Sequence, residues 1–137
     1  MSAPPDSLAA SLSSLVAAGS PGPIVRVWRA RATPANVPAY LAHVTQRVFP
    51  ALRATAGYRG GWVLQERLAG AVTGDDRILA EIRVFTLWES MEAVRSFAGG
   101  DASRAVVEPQ ARAVLAEYDE TVLHFTLGAV DRMASNA

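Results

Sequence analysis

The sequence predicts an α+β fold of the ferredoxin-like kind, a β-α-β-β-α-β chain with one antiparallel sheet and both helices on one of its faces. Three observations carry this. Residues 78–100 read as a strand that runs straight into a helix. Residues 24–54 hold a second strand–helix pair, and two further strand patterns, at 58–68 and 121–128, fall where the split βαβ order needs them.

The stretch 78–100 organises the rest. Ile78, Ala80, Ile82 and Val84 alternate with Leu79, Glu81, Arg83, Phe85 and Leu87, the period-2 signature of a strand. Its β-branched and aromatic content suits a pleated, buried element. Ser90 then stands at an N-cap position, Met91, Val94 and Phe97 follow at helical spacing, and Gly99-Gly100 ends the helix.

The remaining elements follow in chain order. Residues 1–23 form an Ala/Ser/Pro-rich extension, where Leu8, Leu12, Leu15 and Val16 make a short helical stripe expected to dock on the domain or on a neighbour. Ser20-Pro21-Gly22-Pro23 breaks the chain. Residues 24–30 are the first strand, with Ile24, Arg26 and Trp28 on one side and Val25, Val27 and Arg29 on the other. Thr33-Pro34 reads as a helix start, Thr as cap and Pro in the first turn. Val37, Tyr40, Leu41, Val44, Val48 and Leu52 continue as an apolar stripe to about residue 54, and Pro50 is expected to kink it. His43 lies off the stripe's centre and reads as a solvent-facing or capping residue.

Ala56-Gly57 closes this helix. In the strand at 58–68, Tyr58, Gly60, Trp62, Leu64, Glu66 and Leu68 share a face, and Gly60-Gly61 allows a bulge or a close backbone approach. Residues 69–77 are a hairpin connection. After residue 100, Asp101 can cap a helical segment at 102–107, Glu108-Pro109 breaks it, and 111–118 forms another short helix. The last strand sets Thr121, Leu123, Phe125 and Leu127 against Val122, His124 and Thr126. The domain is thus 24–128, followed by a polar tail at 129–137.

Composition excludes several kinds of chemistry. The 137 residues carry 13 basic and 13 acidic side chains, a net charge of zero, with no basic stripe of the sort nucleic acid requires. All 13 basic residues are Arg, so Lys nucleophiles and Schiff bases are impossible. With no Cys there is no disulfide, thiolate or Cys-based metal site. The two His, His43 and His124, sit on different elements, so no metal site is expected. Nucleotide-binding and hydrolase motifs are absent. No apolar run approaches the ~20 residues of a membrane span, and no basic leader precedes the first apolar residues; no membrane partner and a cytoplasmic location are the expectations.

The strands are apolar on both sides, as Trp28 and Trp62 illustrate, whereas the helices can cover only one face. A second copy of the chain is the simplest cover, which predicts a homodimer whose sheets pack face to face.

The run Thr86-Leu87-Trp88-Glu89-Ser90-Met91-Glu92-Ala93 with Phe97-Ala98-Gly99 resembles the antibiotic biosynthesis monooxygenase-like family of dimeric α+β barrels. So do Val27-Trp28-Arg29, Val48-Phe49-Pro50, Gly57-Tyr58-Arg59-Gly60, and Tyr118-Asp119 leading to His124-Phe125, which together span about 24–128. The resemblance implies a cleft between helices and sheet for a small aromatic or hydrophobic molecule. In oxygenase members a polyphenol is oxidised to a quinone by O₂ without metal or flavin, because a deprotonated phenol can itself pass an electron to O₂. The protein excludes water, stabilises the phenolate and positions a proton source. No cofactor is therefore expected. Haem-degrading relatives carry an axial His that would fall near Val107 and a Trp that would fall at Phe97; no His lies between residues 44 and 123, so haem is not expected either.

Each candidate residue has two readings. Arg83 either clamps a phenolate or pairs structurally with Glu81 on its own face. His124, between Leu123 and Phe125, is either a general acid–base or a hydrogen-bonded structural His. Trp88 is either a stacking wall or a core residue at the strand–helix junction, and Trp28, Trp62, Tyr40 and Tyr58 share that ambiguity. Arg26 with Trp28 either lines the cleft or edges the dimer. The functional expectation is a cofactor-independent monooxygenase-like enzyme on a phenolic or polycyclic aromatic compound, with His124 and Arg83 catalytic and Trp88, Trp28, Trp62, Tyr40 and Glu81 binding substrate. The alternatives are a non-catalytic ligand-binding or structural homodimer, or a cyclase or isomerase using the same cleft.

Overall fold

The computed structural model describes residues 22–68 and 77–131. The N-terminal stripe, most of the hairpin connection and the end of the tail lie outside the described residues. Strand β1 is Ile24–Ala32. Helical backbone then runs through α1 (Val37–His43), a π-helical turn (Val44–Val48) and α2 (Phe49–Arg53). Strands β2 (Tyr58–Gln65) and β3 (Ala80–Trp88) follow, then α3 (Met91–Ala98), α4 (Pro109–Val114), β4 (Glu117–Tyr118) and β5 (Leu123–Thr126). All strand pairs are antiparallel. The order is β2-β3-β1, with β4 and β5 both pairing the far edge of β1 and together filling the fourth place of a ferredoxin-like sheet.

The organising stretch folds as its pattern requires. The Ser90 hydroxyl accepts a hydrogen bond from the Ala93 N–H at 3.1 Å, which caps α3. Gly99 ends α3 at φ +84, a conformation open to glycine, while its N–H donates to the Arg95 carbonyl at 3.0 Å. Pro50 has no N–H for the preceding turn, and its ring crowds that turn's carbonyl. The expected disturbance is the π-helical turn just before it, where the Phe49 N–H reaches back to Val44.

Four local expectations are corrected. Thr33-Pro34 forms a turn rather than the helix start: the Thr33 carbonyl accepts from Asn36 and Val37, and α1 begins at Val37 with Pro38 in its first turn. In β2 the register slips between Tyr58 and Gly60, with Gly60 at φ +144. This bulge turns Tyr58 to the helix side, where it meets Trp88 edge-on at 5.4 Å, while Trp62 and Leu64 stay on the opposite face. Residues 102–107 are not a helix. Asp101 instead holds the Ser103 N–H and hydroxyl at 3.0 and 2.7 Å, and the segment pairs with the last strand's approach: Val122 donates to Ser103 and Ala105 to Glu120, both at 2.8 Å. Finally, the helix expected at 111–118 ends at Val114, because Glu117 and Tyr118 join β1 opposite Arg31 and Ala30. In both of the last two cases tertiary strand pairing outweighs helix propensity.

Register assigns each strand residue to a face. On the helix side, β1 presents Ile24, Arg26, Trp28, Ala30 and Ala32, which stand opposite Trp88, Thr86, Val84, Ile82 and Ala80 of β3. The core on this side falls into two clusters. One gathers Val37, Tyr40, Val44, Ile82, Val84 and Ala111; the other gathers Ile24, Leu52, Trp88 and Val94. The outer face carries Trp62 stacked on Phe85 at 5.3 Å and 4°, with Leu64, Leu123 and Phe125 half or more exposed beside buried Val25 and Leu87.

Candidate functional site

The two core clusters are separated by one polar row. Across the sheet, His124 of β5 stands opposite Arg26 of β1, Arg26 opposite Thr86 of β3, and Thr86 opposite Gly61 of β2. Arg26 and Thr86 are buried, at 6% and 7% exposure. Gly61 leaves this row open for its neighbours: a Cβ there would come within 2.7 Å of the Tyr58 hydroxyl and 3.0 Å of Phe49.

Above Arg26 and Thr86 lies a cavity of about 160 Å³. Its floor is the helix side of the sheet: Arg26, Trp28, Val84, Thr86 and Val122. Tyr40, His43, Val48, Leu52 and Thr55 roof it from the first helical run. Phe97 and the extended segment from Ala105 to Glu108 close its remaining side. A cavity of roughly this size in an apolar core holds benzene, so one aromatic ring fits.

The aromatic wall is continuous. Trp28, Tyr40 and His43 follow one another along it at centroid separations of 6.2 and 6.3 Å, and Tyr118, outside the lining, stands 6.4 Å from Trp28, each pair tilted. Trp28 is fixed because its indole N–H donates to the Asp119 carbonyl at 2.6 Å. Tyr40 is 4% exposed, and burial pushes its phenol well above the ordinary tyrosine value, so it stays protonated and able to donate. Thr86 accepts from the Trp88 indole at 2.9 Å, which leaves its own proton to give.

Arg26 is the buried charged group of the cavity, whose lining also includes the exposed Glu108. Its Nη1 donates to the Ala102 carbonyl at 2.6 Å and contacts His124 Nε2 at 3.0 Å, and its Nη2 donates to the Arg104 carbonyl at 2.7 Å. The guanidinium also lies 5.7 Å from the centre of the Phe97 ring. Arginine can only donate, so His124 Nε2 must be the unprotonated nitrogen and the imidazole neutral. Burial, then the Arg26 charge, hold His124 below the usual value of 6.5.

The sequence-predicted site residues divide between the two faces. Trp28 and Tyr40 line the cavity. His124 lies behind Arg26 and reaches the cavity through it. Trp88 is fully buried in the second core cluster, between Tyr58 and Phe97, and is not on the cavity wall. Arg83, Glu81 and Trp62 are on the outer face. There Arg83 donates to Glu81 at 2.7 Å, and Glu81 in turn lines a polar recess of about 240 Å³ with Arg29, Arg31, Glu117 and Asp119. The outer charges are paired: Arg29 with Asp119 at 3.1 Å, and Arg31 with Glu81 and Glu117 at 3.9 and 3.7 Å. The sequence reading therefore placed Arg83 and Glu81 in the cleft where strand register puts Arg26 and Thr86. His43 is corrected too: it is half-buried on the cavity wall, three residues after Tyr40 and on the same helical face. That spacing was a usable signal. Thr86, Phe97 and the 105–108 segment had none. Among the described residues no three of His, Asp or Glu come together as a metal site, and no helix is long and apolar enough to cross a membrane.

No protein-family profile and no curated protein matches the chain. Solved structures do. A candidate antibiotic biosynthesis monooxygenase from Bacillus cereus superposes with TM-score 0.54 at 12% identity, over 80% of this chain and 97% of that one. A haem-degrading protein of Mycobacterium tuberculosis, solved free of haem, gives 0.46 at 21% identity over 80% and 98%. A second candidate antibiotic biosynthesis monooxygenase, from Chloroflexus aurantiacus, gives 0.46 at 19% over 81% and 99%. The chain has the α+β ferredoxin-like fold of the antibiotic biosynthesis monooxygenase-like proteins.

Proposed function

We propose that this protein binds a small phenolic compound in the cavity between helices and sheet and oxidises it with O₂, without a metal or organic cofactor. The observation that carries the reading is the ring-sized cavity walled by Trp28, Tyr40 and His43, with the buried polar pair Arg26 and Thr86 on its floor. The reaction balances as phenol plus O₂ giving quinone plus water. One oxygen atom becomes the new ring carbonyl, and the other leaves as water with the ring and phenolic hydrogens. Trp28 and Tyr40 hold the ring. His43, on the wall, is the side chain placed to take the phenolic proton, and protonated Tyr40 is a donor beside it. His124 orients Arg26. The exposed Leu64, Leu123 and Phe125 around the Trp62–Phe85 stack support a homodimer through the outer sheet face.

A second reading, non-catalytic binding, is favoured by the position of His124 and Arg83, neither of which lines the cavity. Oxygen uptake over a panel of monocyclic phenols separates the two. The oxygenase reading expects uptake that falls about 100-fold in His43→Ala and is unchanged in Arg83→Ala. Binding without uptake for every compound leaves the non-catalytic reading. Sedimentation at micromolar concentration tests the dimer, and a monomer there removes it.

A further inference from the structure

Among the described residues, Arg26 is a buried cation with no carboxylate counter-ion. It is 6% exposed, and among the described residues no carboxylate lies within 4 Å of it. Every other arginine on these inner strands differs: Arg29, Arg31 and Arg83 are exposed and carboxylate-paired on the outer face. Two backbone carbonyls and a neutral imidazole take three of Arg26's donor positions. They supply partial charges only, and a guanidinium removed from water is strongly stabilised by a full opposite charge. Two of its five N–H groups, on Nε and Nη2, have no protein acceptor, and because no buried side-chain nitrogen among the described residues is left without a partner, Nε is open to the accessible space beside it.

We propose that the missing counter-ion is the ligand's own carboxylate, so that the cavity takes an aromatic carboxylic acid, acid group down on Arg26 and ring against Trp28 and Tyr40. This rests on the reading of the cavity as a phenol site and names the class of phenol, a hydroxylated aryl carboxylate. A carboxylate fits better than a second phenolate for two reasons. It enters already ionised at neutral pH, whereas a phenol near pKa 10 must first lose its proton. Its two oxygens can also accept from two N–H groups at once, the pairing in which arginine recognises carboxylates most selectively. The Thr86 hydroxyl, opposite Arg26 in register, has a proton to add. Glu108, the carboxylate on the cavity wall, is exposed and lies more than 4 Å from the Arg26 guanidinium, so it forms no ion pair with it.

The experiment compares 4-hydroxybenzoate with 4-hydroxybenzamide, its neutral counterpart of nearly equal shape, by calorimetry on the wild-type chain at pH 8. Phenol and benzoate serve as single-group controls. The acid is expected to bind roughly 10- to 100-fold more tightly than the amide, the worth of a charge-assisted hydrogen bond. In Arg26→Gln, checked for folding by circular dichroism, the preference is expected to fall to about threefold or less. Equal affinity for acid and amide in the wild-type chain overturns the proposal without needing the variant. A preference for the acid that survives in folded Arg26→Gln overturns it as well. Binding of phenol and the amide but not of either acid discards the carboxylate and keeps the phenol site. Binding of none of the four discards the phenol site itself.

Discussion

Arg26 and Arg83 occupy the same local sequence: Val-Arg-Val on β1 and Ile-Arg-Val on β3. They sit on opposite faces of one sheet, three register positions apart. Arg83 is half-exposed, next to Glu81 and across from Arg29, inside a network of paired charges. Arg26 is buried beneath the helices, bound to carbonyls and a neutral His, and looks into the cavity. The difference shows that the chemistry of a mid-strand charge depends on which face its strand turns to the helices and on who stands beside it. An exposed ion pair is worth little in stability and is readily screened. A buried, incompletely neutralised cation is costly to keep, which is why it points to a ligand.

The comparison can be tested by matched substitutions on the two faces. The largest contrast is between tryptophans. Trp88→Ala on the inner face removes a fully buried ring packed on Tyr58 and Phe97 and is expected to cost about 3–5 kcal/mol. Trp62→Ala on the outer face removes a half-buried ring stacked on Phe85 and is expected to cost about 1–2 kcal/mol in the isolated chain. Urea unfolding of both variants measures this; equal losses would erase the distinction between the faces.

The arginines come next. Arg26→Met leaves the Ala102 and Arg104 carbonyls without their donor and is expected to cost about 2 kcal/mol. Arg83→Met removes an exposed pair and is expected to change stability by less than about 1 kcal/mol. Chemical denaturation again decides, and a larger loss at Arg83 would reverse the assignment of faces.

The smallest effect is the response to acid. Burial, then Arg26, keep His124 neutral in the folded chain below the pH at which it protonates when unfolded. Stability from this group is therefore whole above about pH 6.5 and declines as pH falls from there toward its lowered folded value. Unfolding free energy measured from pH 8 to pH 5 is expected to fall less steeply in His124→Gln, whose side chain does not titrate. An unaltered slope would mean that neither burial nor Arg26 lowers the imidazole in the folded chain.

Much of the scaffold was legible because local chemistry decides it. The β3–α3 unit follows from an alternating pattern, a Ser cap that does accept the Ala93 N–H, and a glycine stop at positive φ. Gly60 announced its bulge, and Pro50 its disturbance of the first helical run. What failed was local inference where distant pairing competes. Residues 102–107 had a capping Asp and helix-tolerant side chains, yet Ser103 and Ala105 pair with Val122 and Glu120. Glu117 and Tyr118 looked like the end of a helix and instead extend the sheet beside Arg31 and Ala30.

The site was less legible than the scaffold. Trp28 and Tyr40 stood out as aromatics on apolar stripes and do line the cavity, and His43 could have been added from its spacing to Tyr40. Arg26, Thr86 and His124 form one row only because three strands align at that level. The sequence by itself determined most of the strands and the helices packed on them, since periodicity, caps and turn residues act over a few neighbours, but not the paired segments at 102–107 and 117–118. Only the tertiary structure decided which side of each strand meets the helices. With apolar residues on both sides, the period-2 pattern is symmetric, and register together with the Gly60 bulge breaks that symmetry to bury Arg26 and leave Arg83 in water.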